Sequence, residues 1–218
     1  MKSHLKLIVS FLVVVGFTVA AKANLLSFDY SGQVSAIHDD LAGTFSSNFA
    51  VGNSINGTFT IDTNATGSLL ISPYLKSYPI SFTADINGHD FYGAAEYRIF
   101  NNGPGGDGFS IINEHRDYVA PVLGNLVPRT FFIQFLGMPT TALTDLSLIT
   151  DPVSLVPLAN PSYAPNGLRL DNKANPDDYG ALYFTVNSVR AVPDTASTIA
   201  LLGISFLGLG LIRHRMVV

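Results

Sequence analysis

Ile80-Ser81-Phe82-Thr83-Ala84-Asp85-Ile86, then Asn87-Gly88, then His89-Asp90-Phe91-Tyr92, decides the fold class of this chain. Apolar residues recur at every second position on either side of an Asn-Gly pair, which is the period of a strand with one buried face. Asn-Gly accepts positive φ at both positions, as a two-residue type I′ turn requires. The stretch is therefore predicted to be a tight antiparallel hairpin.

Working outward, the same period of two recurs. Phe28, Tyr30, Gly32, Val34 and Ala36 alternate with Asp29, Ser31, Gln33 and Ser35, and Ile55, Gly57, Phe59 and Ile61 alternate with Asn56, Thr58, Thr60 and Asp62. Further strands are predicted at 96–100, 109–113, 130–136 and 181–189, with a weaker one at 143–149. The run 101–108 holds four glycines and a proline and is expected to be a loop. The run 151–176 carries Pro152, Pro157, Pro161, Pro165 and Pro176 and is expected to be mostly loop or edge, because proline cannot donate to a ladder. Eight or nine short strands without an amphipathic helix predict an all-β fold, an antiparallel sandwich or jelly roll.

Two apolar ends flank this region. Residues 1–23 read as a signal peptide: Lys2 and Lys6 form a basic head, an apolar run extends from Leu7 to Ala21, and Ala21-Lys22-Ala23 is a small-x-small site with cleavage expected between Ala23 and Asn24. That assigns export through the Sec translocon and trimming by signal peptidase. At the other end, seventeen residues from Ala196 to Ile212 carry no charge and are followed by Arg213 and Arg215. A helix of that length covers about 25 Å at roughly 1.5 Å per residue, a short membrane span with its arginines as the cytoplasmic stop. The expected division is 1–23 signal peptide, 24–191 exported β domain and 192–218 C-terminal signal.

Composition narrows the chemistry of the middle. With no cysteine, the exported domain is held by its core and has no thiolate metal site. Between Asn24 and Val192 stand seven Lys and Arg against fifteen Asp and Glu, a net charge of −8, which argues against nucleic acid as a partner. His38, His89 and His115 lack metal-ligand spacing, and no G-x-S-x-G nucleophile turn is present. Asp39-Asp40 and Asp177-Asp178 are expected to shape turns. No catalytic residue, metal site or cofactor is assigned. Tyr74, Tyr78, Tyr92, Tyr118 and Tyr163 are candidate sugar-stacking residues on the alternative that the domain is a carbohydrate-binding jelly roll; a hydrolase with an unrecognised site is a second alternative.

One resemblance bears on function. Val192-Pro193-Asp194, Ser197-Thr198, Leu201-Leu202-Gly203 and a glycine-spaced apolar run closed by Arg213 and Arg215 resemble the PEP-CTERM class of C-terminal sorting signals in its VPD variant. Asp194 and Thr195 stand where the commonest form has glutamate and a second proline. The resemblance implies recognition of Val192, Pro193, Asp194, Ser197 and Thr198 by an exosortase-type membrane transpeptidase, with the precursor held in the inner membrane. It further implies a non-enzymatic protein of the surface or matrix of a Gram-negative bacterium, associated with exopolysaccharide and biofilm. The stretch from Phe28 to Phe59 also resembles the β-rich domains that commonly precede such tails.

Overall fold

The computed structural model describes residues 25–193 apart from 42, 71, 116 and 164. Nine strands follow in chain order: β1 (Leu25–Asp39), β2 (Ser54–Asp62), β3 (Ser68–Leu69), β4 (Leu75–Ile86), β5 (His89–Gly103), β6 (Gly106–Asn113), β7 (Leu126–Met138), β8 (Asn166–Asn172) and β9 (Tyr179–Ala191). A single 3₁₀ turn, Val156–Leu158, interrupts the long β7–β8 connection.

Apart from the two-residue β3, each strand pairs antiparallel with the next, β2 pairs directly with β4, and β9 returns to pair with β1. The result is a closed eight-stranded up-and-down barrel around Leu25–Val192. This corrects the sandwich or jelly-roll expectation. Alternation specifies strands with one buried face, and both architectures satisfy it; closure depends on which edges meet, here Phe28 to Asp39 of β1 against Ala191 to Gly180 of β9.

The barrel is filled from the inside. Phe28, Tyr30, Phe59, Phe82, Phe91, Tyr97, Phe109, Phe131 and Phe184 all point inward and are buried. Their rings meet across the interior, with Phe82 stacked on Phe131 at 4.5 Å, Phe28 on Phe59 at 5.1 Å and Tyr97 edge-on to Phe109 at 5.5 Å. Eight strands enclose a space that side chains can fill, and aromatic rings in offset and edge contacts do so here. Asp29, Ser35, Asn56 and Ser81 face outward and are exposed. An apolar interior with a polar wall is the inverse of a lipid-embedded barrel.

The Asn87-Gly88 hairpin forms as expected, with φ of 55° and 81°. Two local expectations are corrected. The glycine run 101–108 is mostly ladder, because Gly103 pairs with Gly106 and positive φ at Asn102 and Gly106 tightens the turn. The segment 143–149 is not a strand; Asp145 Oδ1 accepts the Ser147 N–H at 2.7 Å and folds it back on itself. The proline-rich 151–176 is mostly loop, as expected, but it contains one interior strand, β8, which pairs on both sides because the prolines lie outside it.

The chain enters and leaves at one end of the barrel. Leu25 pairs with Asp62, Ala191 with Phe28, and the β3–β4 and β5–β6 turns lie at that same end. The β1–β2, β4–β5, β6–β7 and β8–β9 connections are at the other.

Candidate functional site

The seam between the first and last strands delivers the chain to its C-terminal segment. Ala191 is the last ladder residue, opposite Phe28, and the Val192 N–H donates to the Ser27 carbonyl at 2.8 Å. Ser27 is itself tied to β2 through a 2.9 Å hydroxyl contact with Thr60. Pro193 follows at once. Having no N–H, it cannot extend the ladder, so the sheet stops at the residue before it. The motif begins within the barrel's last rung, with no linker between them.

Residues 191–216 match the VPDSG-CTERM motif. It is a PEP-CTERM-like C-terminal sorting signal, and it implies export, surface localisation and processing by an exosortase-type enzyme. Against the motif's name, this chain reads Val192-Pro193-Asp194-Thr195-Ala196, keeping a hydroxyl in the fourth place and a small residue in the fifth. No curated protein and no solved structure matches the chain. Of the residues singled out in the sequence, Val192 and Pro193 lie at the seam. Ala21, Ala23, Asn24, Asp194, Ser197, Thr198, Arg213 and Arg215 fall outside the described residues. Among the described residues no helix is long and apolar enough to cross a membrane; the expected 196–212 span also lies outside them.

The barrel wall sorts the candidate tyrosines. Tyr78 and Tyr118 are buried, their hydroxyls donating to the Leu146 carbonyl at 2.8 Å and between the Thr130 and Arg169 carbonyls at 3.3 Å. Neither can stack on a ligand. Tyr74, Tyr92 and Tyr163 are exposed, as is Tyr183 on β9, whose outward position follows from the alternation with Leu182 and Phe184. Tyr74 and Tyr163 border a cleft of about 320 Å³ with the glycine turn of β5–β6. Tyr92 pairs with Thr83 beside a polar groove of about 510 Å³ that runs over Asp29, Asn56, Thr58, Asp85, Asp90 and Arg190.

The three middle histidines go to three separate places. His38 Nε2 lies 2.8 Å from Asp40, His89 packs edge-on against Phe49, and His115 Nε2 lies 3.0 Å from Glu96. Glu96 also takes Arg98 Nε at 2.7 Å and the Ser77 hydroxyl at 3.1 Å, while Arg98 reaches on to Glu114 at 2.7 Å. Partial burial raises the Glu96 pKa, but the hydrogen bonds from His115, Arg98 and Ser77 outweigh it and leave it below its ordinary value. Donating this hydrogen bond to Glu96 pushes the His115 pKa upward in turn. Neither histidine–carboxylate pair lines the grooves described above. The acidic pair Asp39-Asp40 shapes a turn: Asp39 accepts the Leu41 and Ser46 N–H groups at 2.9 and 2.7 Å. Among the described residues, no three His, Cys, Asp or Glu side chains cluster closely enough to hold a metal ion.

Proposed function

We infer that this is a non-enzymatic, exported surface or matrix protein, delivered by the Sec route and held in the inner membrane by its C-terminal segment. An exosortase-type enzyme then cuts at or near Val192 to Asp194. The observation that carries this reading is the sorting motif at 191–216, joined without a linker to the last strand of a closed, polar-walled barrel. A Gram-negative host and association with exopolysaccharide or biofilm rest on the resemblance of the tail. Replacing both Pro193 and Asp194 by Ala should leave the protein uncut in the inner membrane. A double variant that still matures to the wild-type mass would defeat the recognition role.

A second reading, carbohydrate binding, is favoured by the groove over Asp29, Asn56, Asp85, Asp90 and Arg190, with the exposed Tyr92 paired to Thr83 of its lining. Carboxylates, an amide and a guanidinium beside an exposed ring are the groups that hold and stack a sugar. Binding on a glycan array that is lost in Tyr92→Ala supports it; a uniformly negative array removes it.

A further inference from the structure

We propose that the end of the barrel from which the chain departs is a membrane-facing surface, seated on the lipid headgroup layer while the precursor is tethered. The proposal rests on the reading of the C-terminal segment as a membrane span. Its first support is chain length. Only Pro193, Asp194 and Thr195 separate Val192 from the start of the apolar run at Ala196, and three residues reach about 10 Å at roughly 3.4 Å each.

The second support is what that end displays. Leu25 is 57% exposed, Leu69 67%, Tyr74 44%, Tyr163 51% and Val192 37%. Register puts them together: Leu25 and Val192 sit at the β1–β9 seam, Leu69 pairs with Lys76 just inside the start of β4, and Tyr74 precedes Leu75 opposite Phe100. Tyr163 lies against Gly105, so the β5–β6 turn is wedged between it and Tyr74, which flanks Gly103. Exposed tyrosines beside aliphatic side chains are what a membrane interface accommodates, ring in the headgroups and hydroxyl in water. Lys76 adds a cation at this rim, where Asp62 accepts the Asn64 N–H at 2.9 Å and the β7–β8 connection brings the exposed carboxylates of Asp145, which interacts with Lys76, and Asp151.

The opposite end exposes Val51, Val119 and Val122 on its connections, but no aromatic ring among them, and it is far richer in carboxylates. Asp39, Asp40, Glu114, Asp117, Asp177 and Asp178 lie on its connections and strand ends, and anionic headgroups would repel them. The barrel ends thus differ in degree: the tether end has the exposed Tyr74 and Tyr163 and fewer carboxylates than the far end. Because the tether already fixes the barrel beside the bilayer, weak rim contacts suffice to orient it.

The chain has no tryptophan, so single-tryptophan variants of the full-length protein report position directly. Tyr74→Trp, Leu69→Trp, Tyr92→Trp and Phe206→Trp would each be reconstituted in vesicles of lipids brominated near the top of the acyl chains. The proposal expects Tyr74→Trp and Leu69→Trp to lose emission relative to unbrominated vesicles, with Tyr92→Trp unchanged. Phe206→Trp, inside the expected span, should be quenched as well. If Phe206→Trp is quenched while the two rim variants match Tyr92→Trp, the tail is inserted and the rim proposal is wrong. If Phe206→Trp is not quenched, the reading of the tail fails and the proposal falls with it.

Discussion

Tyr30 and Tyr97 both bury a phenol inside the barrel, with opposite consequences. The Tyr30 hydroxyl donates to the Thr83 carbonyl at 2.7 Å, across a wall left open by the missing side chain of Gly57. The Tyr97 hydroxyl, among the described residues, has no partner. Burial raises both pKa values, so each stays neutral. Tyr30→Phe should cost about 1 kcal/mol, the net worth of a hydrogen bond, plus the penalty of the carbonyl it strands. Tyr97→Phe removes a desolvated, unpaired group and should leave stability equal or higher by up to about 1 kcal/mol. Denaturant unfolding of the two variants checks this; equal destabilisation would show that Tyr97 is satisfied. On the outer wall, Glu96→Gln should bring the raised His115 pKa back towards its ordinary 6.5, read by NMR titration. The sign for stability follows from linkage. The raised histidine stabilises below its unfolded pKa and loses that contribution as pH rises through the folded value, whereas the lowered Glu96 contributes above its unfolded pKa and loses it as pH falls. The gap between wild type and variant should therefore be widest between the two ordinary values, 4.5 and 6.5.

Among the elements, the β4–β5 hairpin was legible because both its signals are local, a period of two and an Asn-Gly turn. β8 was not. Its Gly167, Leu168, Arg169 and Leu170 are too few for a period, and prolines at 165 and 176 suggested a loop, although neither sits where a ladder N–H is needed. The segment 143–149 failed in the opposite way: its alternation is real, but its apolar side chains pack on the core from a turn. What holds that connection is Asp107, fully buried, whose two oxygens accept the Asn102 and Leu143 N–H groups at 2.8 Å each. One carboxylate thus closes the β5–β6 turn and docks the β7–β8 connection. Asp107→Ala should cost about 3–5 kcal/mol, the loss of two charge-assisted bonds that leaves the Asn102 and Leu143 N–H groups without this partner. Hydrogen exchange should then accelerate first across 139–149, with the distant Asn87-Gly88 hairpin following only at global unfolding. Uniform acceleration would mean that Asp107 supports the barrel as a whole.

For the whole molecule, strands and sorting signal were legible because each is written in consecutive residues, while closure was not, since it depends on β2 meeting β4 and β9 meeting β1 far along the chain. Closure in turn constrains processing. The last four rungs, Phe28 with Ala191, Asp29 with Arg190, Tyr30 with Val189 and Ser31 with Ser188, hold the seam, and Val189 is buried there. At about 1 kcal/mol per net hydrogen bond, with the burial of Val189 added, losing them removes on the order of 5 kcal/mol. That is a large share of the roughly 5–15 kcal/mol that holds a domain together. Val192, Pro193 and Asp194 follow directly on the last rung at Ala191, so an enzyme cutting among them leaves the seam intact. The mature C-terminal residue, read by mass spectrometry, should accordingly be Val192 or one beyond it. A chain truncated after Val192 should unfold in one cooperative transition near the midpoint of the uncut protein, whereas one truncated after Asn187 should melt far lower or fail to fold. A mature terminus upstream of Ala191 on a protein that keeps its midpoint would show that the seam is dispensable and that closure does not set the limit of processing.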